Sequence, residues 1–289
     1  MRELLESVAA GECSPAEAEA ALRGYVTDSA GRFDATRERR RGIPEAIYAA
    51  GKRPEQVLSL AETAIETTGR ALVTRLADDA AETVIDALSD SNPGATVERR
   101  ATTLVVHGDD YAPPALPASV GVLTAGTVDG DVADEAQVVL EDAGVTVERI
   151  DDVGVAALSR VLDQLDRIRS HDVLIVAAGR EGALPTVVAG LVDAPVIGLP
   201  VSSGYGHGGD GEAALAGMLQ SCTVLSVVNV DAGFVAGAQA TLIARAVAAG
   251  REGDAGREGD TGREGDTGRE GDVGREGDAG REGEDEPAE

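Results

Sequence analysis

Between Ser202 and Phe234 the chain reads SSGYGHGGDGEAALAGMLQSCTVLSVVNVDAGF, and this run holds the residues best suited to chemistry. A glycine-rich loop, Ser203 to Gly211, opens an apolar helix that ends at Cys222. A β-rich run, Val224 to Asn229, and an acidic turn with Asp231 follow. Glycine lets backbone approach a ligand closely, and the N–H groups of a helix start favour anions. The loop Ser202-Ser203-Gly204-Tyr205-Gly206 therefore suits a phosphate or carboxylate, with a thiol held one helix away. An ionised thiol is a nucleophile. The plainer reading of Cys222 is a buried structural cysteine among Met218, Leu219 and Val224. His207, within the loop, is not assigned a proton-transfer role.

Three other segments could serve such a site. Gly179-Arg180-Glu181-Gly182-Ala183-Leu184-Pro185 puts Glu181 at a helix start after a buried strand, as a general base or simply as a first-turn acid that favours the helix dipole. Ala125-Gly126-Thr127-Val128-Asp129 follows an earlier strand. Arg32, Arg37, Arg39, Arg40 and Arg41 form a basic island, readable as phosphate anchorage or as a surface helix paired with Asp34, Glu38 and Glu45. Cys13 precedes a capping Ser-Pro and reads as structural. Neither Cys-x-x-Cys nor His-x-x-x-His occurs, so no nickel, zinc or haem site is indicated.

The elements that must position these residues are legible from period and composition. Val120–Thr124, Val145–Ile150, Val173–Ala178, Pro195–Leu199 and Val224–Asn229 are short Val/Ile/Leu-rich strands. Helical patterns separate them at Val132–Ala143, Val155–Arg169, Glu181–Val192 and Glu212–Ser221, and Gly233–Ala249 closes the series. Strict β/α alternation predicts an α/β fold with a doubly wound, parallel five-stranded sheet of flavodoxin-like type, spanning 119–249. It does not fix strand order. Ligands of such sheets bind at the carboxyl ends of the strands, here Ala125–Thr127, Gly179–Glu181, Ser202–Gly209 and Asn229–Asp231.

Residues 1–98 read as a mostly helical N-terminal domain. Ser14-Pro15-Ala16-Glu17 is a capping box leading into Ala18–Leu22, Pro54–Leu76 reads as one long helix and Ala77–Leu88 as another. A linker is expected over 99–118, from the turn at Asn92-Pro93-Gly94 and the prolines of Tyr111–Pro117. From Gly250 the sequence repeats GREGDx with a period of six. These last residues hold six arginines and fifteen acids, 6 − 15 = −9, with almost nothing apolar. Such a segment cannot offset its ordering entropy by burial and is expected to be disordered over 250–289. Deletion after Ala249 should leave turnover unchanged and mainly alter solubility, as the net charge falls in magnitude (−27 + 9 = −18).

The chain carries 52 acidic against 25 basic residues, with Lys52 the only lysine. A surface this acidic repels phosphate polymers, so nucleic acid is excluded as a general partner, and it fits a protein solvated in concentrated salt. No signal peptide is evident, and the apolar stretches are interrupted by charge or proline. A cytoplasmic protein without a membrane span is expected.

The motifs Ala-Gly-Arg-Glu-Gly-Ala-Leu at 178–184, Ser-Cys at 221–222, Val-Val-Asn-Val-Asp at 227–231 and Ala-Gly-Thr-Val-Asp at 125–129 resemble those of the LarB carboxylases of nickel-pincer cofactor biosynthesis. These are relatives of the aminoimidazole ribonucleotide carboxylases. The resemblance covers about residues 12–249 and includes Asp-x-x-Arg-x-x-Arg-x-Gly-x-Pro-Glu at 34–45. It implies carboxylation of the pyridinium ring of nicotinic acid adenine dinucleotide by CO2, then phosphoanhydride cleavage to AMP and pyridinium-3,5-biscarboxylic acid mononucleotide. Cys222 falls on the family nucleophile and Glu181 on its acid. Gly126, Thr127, Asp129, Ser202, Ser203, Gly204, Tyr205, Gly206, Asn229, Asp231, Arg37 and Arg40 fall on substrate-binding positions. The resemblance also implies a homo-oligomer, an octamer, with no tightly bound cofactor beyond a Mg2+ on the substrate pyrophosphate. Two positions depart from the pattern: Val128 stands where the family has serine, and Ser159 where it has histidine. An aminoimidazole ribonucleotide carboxylase of purine synthesis is the alternative enzyme, although its substrate is already an enamine and needs no thiol. A non-catalytic nucleotide-binding scaffold is the alternative outside enzymology.

Overall fold

The computed structural model describes residues 2–260. Two short helices, α1 (Arg2–Ala10) and α2 (Pro15–Arg23), precede a hairpin of β1 (Val26–Asp28) and β2 (Gly31–Phe33). The arginine island forms α3 (Arg37–Arg41). Then come β3 (Ile47–Tyr48), α4 (Pro54–Thr68), β4 (Arg70–Thr74), α5 (Asp78–Ser91), β5 (Thr96–Arg100) and β6 (Thr103–His107).

Helices predominate in this half, as expected, but they pack on a four-stranded sheet of order β3-β4-β6-β5 that pattern reading does not anticipate. The long helix expected over 54–76 stops at Gly69, whose φ of 77° is the left-handed cap that glycine tolerates best. Residues 70–74 instead form a central strand, buried throughout. The expected linker is correspondingly shorter, because residues 103–107 are β6, antiparallel to both β4 and β5. The β5–β6 turn lacks the Asn-Gly signal of tight hairpins, and Ala101 takes the positive φ itself, 48°. Buried Val57, Leu60, Ala61 and Ala64 recur at helical spacing on α4 and cover this sheet with Ala71, Val73, Leu104 and Val106.

The second half alternates without exception: β7 (Leu116–Thr124), α6 (Gly130–Asp142), β8 (Val145–Ile150), α7 (Leu158–Asp163), α8 (Leu165–Arg169), β9 (Val173–Ala178), α9 (Ala183–Ala189), β10 (Val196–Pro200), α10 (Glu212–Leu219), β11 (Ser226–Val227) and α11 (Gly233–Asp260). The strands pair in parallel in the order β11-β10-β9-β7-β8, the flavodoxin-like order. Every residue of β9 and β10 is buried, the expected state of strands covered by helices on both faces. The run expected at 224–229 contracts to two paired residues at the sheet edge. The helix expected at 155–169 is broken into a 3-10 turn (Val155–Ala157), α7 and α8.

With few aromatics to fill space, α11 buries a stripe of Ala236, Ala240 and Ala244 against the sheet. Its Gly233–Arg251 stretch is long and apolar enough to cross a membrane, yet this face lies in the protein core. The helix also continues into the first repeats, to Asp260; the remainder of the expected disordered segment lies outside the described residues. Between the two sheets, buried Arg70 of β4 meets buried Asp142 of α6 at 3.4 Å and Glu38 of α3 at 2.8 Å, while His107 of β6 approaches Asp142 at 3.0 Å. The Arg70–Asp142 pair and the His107–Asp142 contact tie the N-terminal sheet to α6.

Candidate active site

In this strand order the chain leaves β7 in one direction and β9 in the other, so a crevice opens above their carboxyl ends. A cavity of about 260 Å³ occupies it. Its floor and walls come from Ala125, Gly126 and Asp129 after β7, Gly154 and Val155 after β8, Gly179 to Leu184 after β9, and Ser203 to Tyr205 after β10. Six of the residues expected at a site meet here: Gly126, Asp129, Glu181, Ser203, Gly204 and Tyr205. Glu181 is exposed just before α9 and lines the cavity.

The β10 loop is pressed against the end of β9. A Cβ on Gly204 would lie 1.8 Å from the Gly179 carbonyl oxygen, and one on Gly179 would lie 2.3 Å from Ser203 Oγ. Only paired glycines allow that approach. Asp129 fastens the third side. Its Oδ1 accepts from the Ser203 hydroxyl at 2.8 Å and its Oδ2 from the Gly126 N–H at 2.9 Å. It lines the cavity at only 3% exposure, so its first role is to hold the β7 and β10 loops together.

Burial pushes the Asp129 carboxyl above the ordinary carboxylate range, outweighing the opposing hydrogen bonds from Ser203 and Gly126. A raised acid contributes stability that is fully present below its unfolded value and is lost as pH rises through its folded value. Wild type should therefore gain melting temperature relative to Asp129→Asn as pH falls from 7 into the carboxylate range; a relative loss would refute the assignment. Asparagine can keep both partners, accepting from Gly126 and donating to Ser203, whereas Asp129→Ala abandons both and should cost about 1–3 kcal/mol. Thermal denaturation of the two variants at neutral pH separates them.

Two family matches cover the two halves. Residues 26–108 match the LarB/PurE-like N-terminal domain, and residues 119–257 match AIR carboxylase. The "uncharacterized protein MJ0165" of Methanocaldococcus jannaschii is 37% identical over 258 residues, which span 85% of this chain and 97% of that protein. The chain belongs to the LarB family. A solved structure, Treponema denticola PurE, aligns with 50% of the chain and 98% of its own length at 19% identity and a TM-score of 0.36. The family assignment supports a carboxylase-type function.

In this LarB-family chain the other expected residues lie outside the cavity. Thr127 is exposed beside it, and Gly206 is at an exposed bend. Ser202 donates its N–H to Asp231 Oδ1 at 2.8 Å, while Asn229 Oδ1 accepts from the N–H of Val230 at 2.8 Å. These residues build the turn after β11. The carbonyl of Asp231 accepts from Arg75 of the N-terminal half, linking the two halves at this edge. Arg40 pairs with Asp34, and Arg37 pairs with Glu45 at 2.8 Å, as the surface-helix reading has it. Arg37 also lines a second cavity, of about 210 Å³, with Tyr48, Arg75, Glu135 and Phe234.

Cys222 is exposed rather than buried. It follows α10 and precedes β11, and neighbouring Thr223 reaches the Thr186 carbonyl at mid-α9 through its Oγ1 at 3.5 Å, while its methyl lies 3.9 Å from where a Cβ on Gly190, the residue after α9, would stand. Glu181 stands at the other end of α9, and Cys222 does not line the cavity. Pattern reading also missed Arg180, Val155 and Gly154. Arg180 was visible as the cation beside Glu181; the other two reach the cavity only through the fold. Val128, a departure from the family pattern, lines the cavity and is exposed, whereas Ser159 lies outside it. Among the described residues no group of three or more His, Cys, Asp and Glu converges.

Proposed function

We propose that this protein carboxylates the pyridinium ring of nicotinic acid adenine dinucleotide with CO2 and then cleaves the phosphoanhydride, as a cytoplasmic enzyme of a salt-adapted cell. The observation that carries the reading is the cavity with Glu181 at its rim, in a chain of this family. A pyridinium carbon is electron-poor and does not attack CO2. Addition of a thiolate at C4 converts the ring to a dihydropyridine whose C5 is nucleophilic. C5 takes up CO2, Glu181 removes the C5 proton, and departure of the thiolate restores the aromatic ring. Water then cleaves the phosphoanhydride to release AMP.

The thiolate in this scheme is Cys222, which stands at the far end of α9 from Glu181 within one chain. Cys222 does not line the cavity that Glu181 rims, so the reading draws the thiolate from another copy and includes a homo-oligomer with sites built between copies, for which an octamer is the family expectation. Arg37 and Arg75, facing the second cavity, are the proposed anchorage for the phosphates. A Mg2+ would enter with the pyrophosphate of the substrate. Incubation with the dinucleotide and 13C-bicarbonate, followed by mass spectrometry, tests the reaction: a labelled biscarboxylated mononucleotide and AMP are expected. Dinucleotide binding with no labelled product would leave the non-catalytic scaffold, and turnover of aminoimidazole ribonucleotide alone would favour the purine-type reaction. Cys13→Ala should behave as wild type in the same assay.

A further inference from the structure

Of the described residues lining the cavity above β7 and β9, Arg180 is the one cation; Asp129 and Glu181 are acids, and the rest are apolar, hydroxyl-bearing or glycine. Arg37, Arg40, Arg70, Arg149 and Arg160 are all ion-paired in this strongly acidic chain. Arg180 makes no ion pair among the described residues. Its guanidinium instead lies over the ring of Tyr205, 4.2 Å from the centroid. Both side chains are exposed at the cavity mouth, Tyr205 at 74%.

Stacking occupies the π faces of a guanidinium and leaves the in-plane N–H groups along its edge free. Those donors form a fork that matches a carboxylate bidentately. The stack is also fixed in place from both sides. Arg180 follows buried Gly179, and Tyr205 follows Gly204, whose added Cβ would meet the Gly179 carbonyl at 1.8 Å and Arg180 Cα at 3.3 Å. The loop contact that shapes the cavity therefore sets Tyr205 under Arg180 before any ligand arrives.

We propose that Arg180, seated on Tyr205, is a specificity-determining residue that grips the carboxylate of the substrate ring and selects a nicotinate over a nicotinamide. This rests on the pyridinium-carboxylase reading for its ligand and adds to it the residue that separates acid from amide. A neutral carboxamide offers one acceptor and places an N–H₂ against the guanidinium donors, so it cannot satisfy the fork.

The test is equilibrium binding of nicotinic acid mononucleotide and nicotinamide mononucleotide by calorimetry, at one fixed salt concentration, with no turnover required. The wild type should bind the acid at least about tenfold more tightly than the amide, the range of a charge-assisted fork against a neutral contact. Arg180→Gln should collapse that ratio by weakening the acid alone. Tyr205→Leu should erode it in part, while Tyr205→Phe keeps the ring and should preserve it. Circular dichroism and melting temperature of each variant establish that the fold is retained; both side chains are exposed and load-free in the core. Equal wild-type affinities, or an Arg180→Gln ratio that does not change, would overturn the proposal. Equal loss of both ligands in Arg180→Gln would put the guanidinium on the phosphate and also overturn it. Failure of the wild type to make carboxylated product would sink the reaction reading without touching this binding result.

Discussion

Cys222→Ala and Glu181→Gln are each expected to abolish formation of the labelled carboxylation product, and mixing the two inactive proteins is expected to restore it. In the proposed reaction the thiol is required because an unactivated pyridinium carbon has no nucleophilic character, so loss of the adduct removes the reactive species rather than a fraction of its stabilisation. More than about a tenth of wild-type turnover in Cys222→Ala would exclude a covalent role, since tenfold is only about 1.4 kcal/mol of barrier. Restoration on mixing follows from the proposal that the two residues of one site come from different copies. Glu181 rims the cavity above β9, whereas Cys222 is exposed between α10 and β11. If each site draws one residue from each of two copies, random exchange after mild unfolding and refolding leaves about a quarter of sites with both intact residues. No recovery in mixtures confirmed to contain both chains would refute the shared site. A monomer mass by light scattering in molar salt would refute it independently.

Gly204→Ala should be among the most damaging single-methyl changes in the C-terminal half. The added carbon would stand 1.8 Å from the Gly179 carbonyl oxygen, and the atom it meets is backbone, which cannot rotate aside. The β10 loop must then lift off β9, carrying Ser203 away from Asp129 and Tyr205 away from Arg180. Overpacking of this kind costs about 3 kcal/mol, or about 6–12 °C of melting temperature for a chain of this size. Ligand binding in the cavity should be lost along with it. Gly130→Ala is the matched control: that glycine has helical φ and ψ and no neighbour within 4 Å of an added Cβ, so alanine there should be neutral or slightly stabilising. Equal melting temperatures for the two variants would disprove the steric account.

Much of the second half was legible in the amino-acid sequence because its signals are local. Runs such as 145–150 and 173–178 are bounded by breakers, the second of them buried throughout, and they form strands with the expected limits. Parallel strands need crossover helices, so alternation alone implied a doubly wound sheet with its site at the carboxyl ends. The glycine-rich loop, Glu181 and the segment at 125–129 were recognisable for the same reason: each follows a strand directly. The N-terminal sheet was not legible. Arg70–Thr74 continues a helical pattern in its own sequence, and it becomes a strand because Gly69 ends α4 and because β3 and β6 are there to pair with it. Pairing partners distant in sequence leave no mark within the segment. The β5–β6 hairpin was hidden likewise, its turn being held by Ala101 without a glycine or asparagine to announce it.

The site divides along the same line. Residue types and spacing by themselves showed that the chain carries a thiol, an acid and a glycine-rich loop, the last two following strands of a parallel α/β scaffold. Only the tertiary structure decided that Asp129 is a buried strut between two loops, that Arg37 and Arg40 answer to Glu45 and Asp34, that Arg180 stacks on Tyr205, and that Cys222 and Glu181 stand at opposite ends of α9. The physical reason is one of range. Propensity and periodicity act over a few neighbouring residues, whereas burial, ion pairing and the direction a side chain faces are settled by which distant segments the packed core brings together.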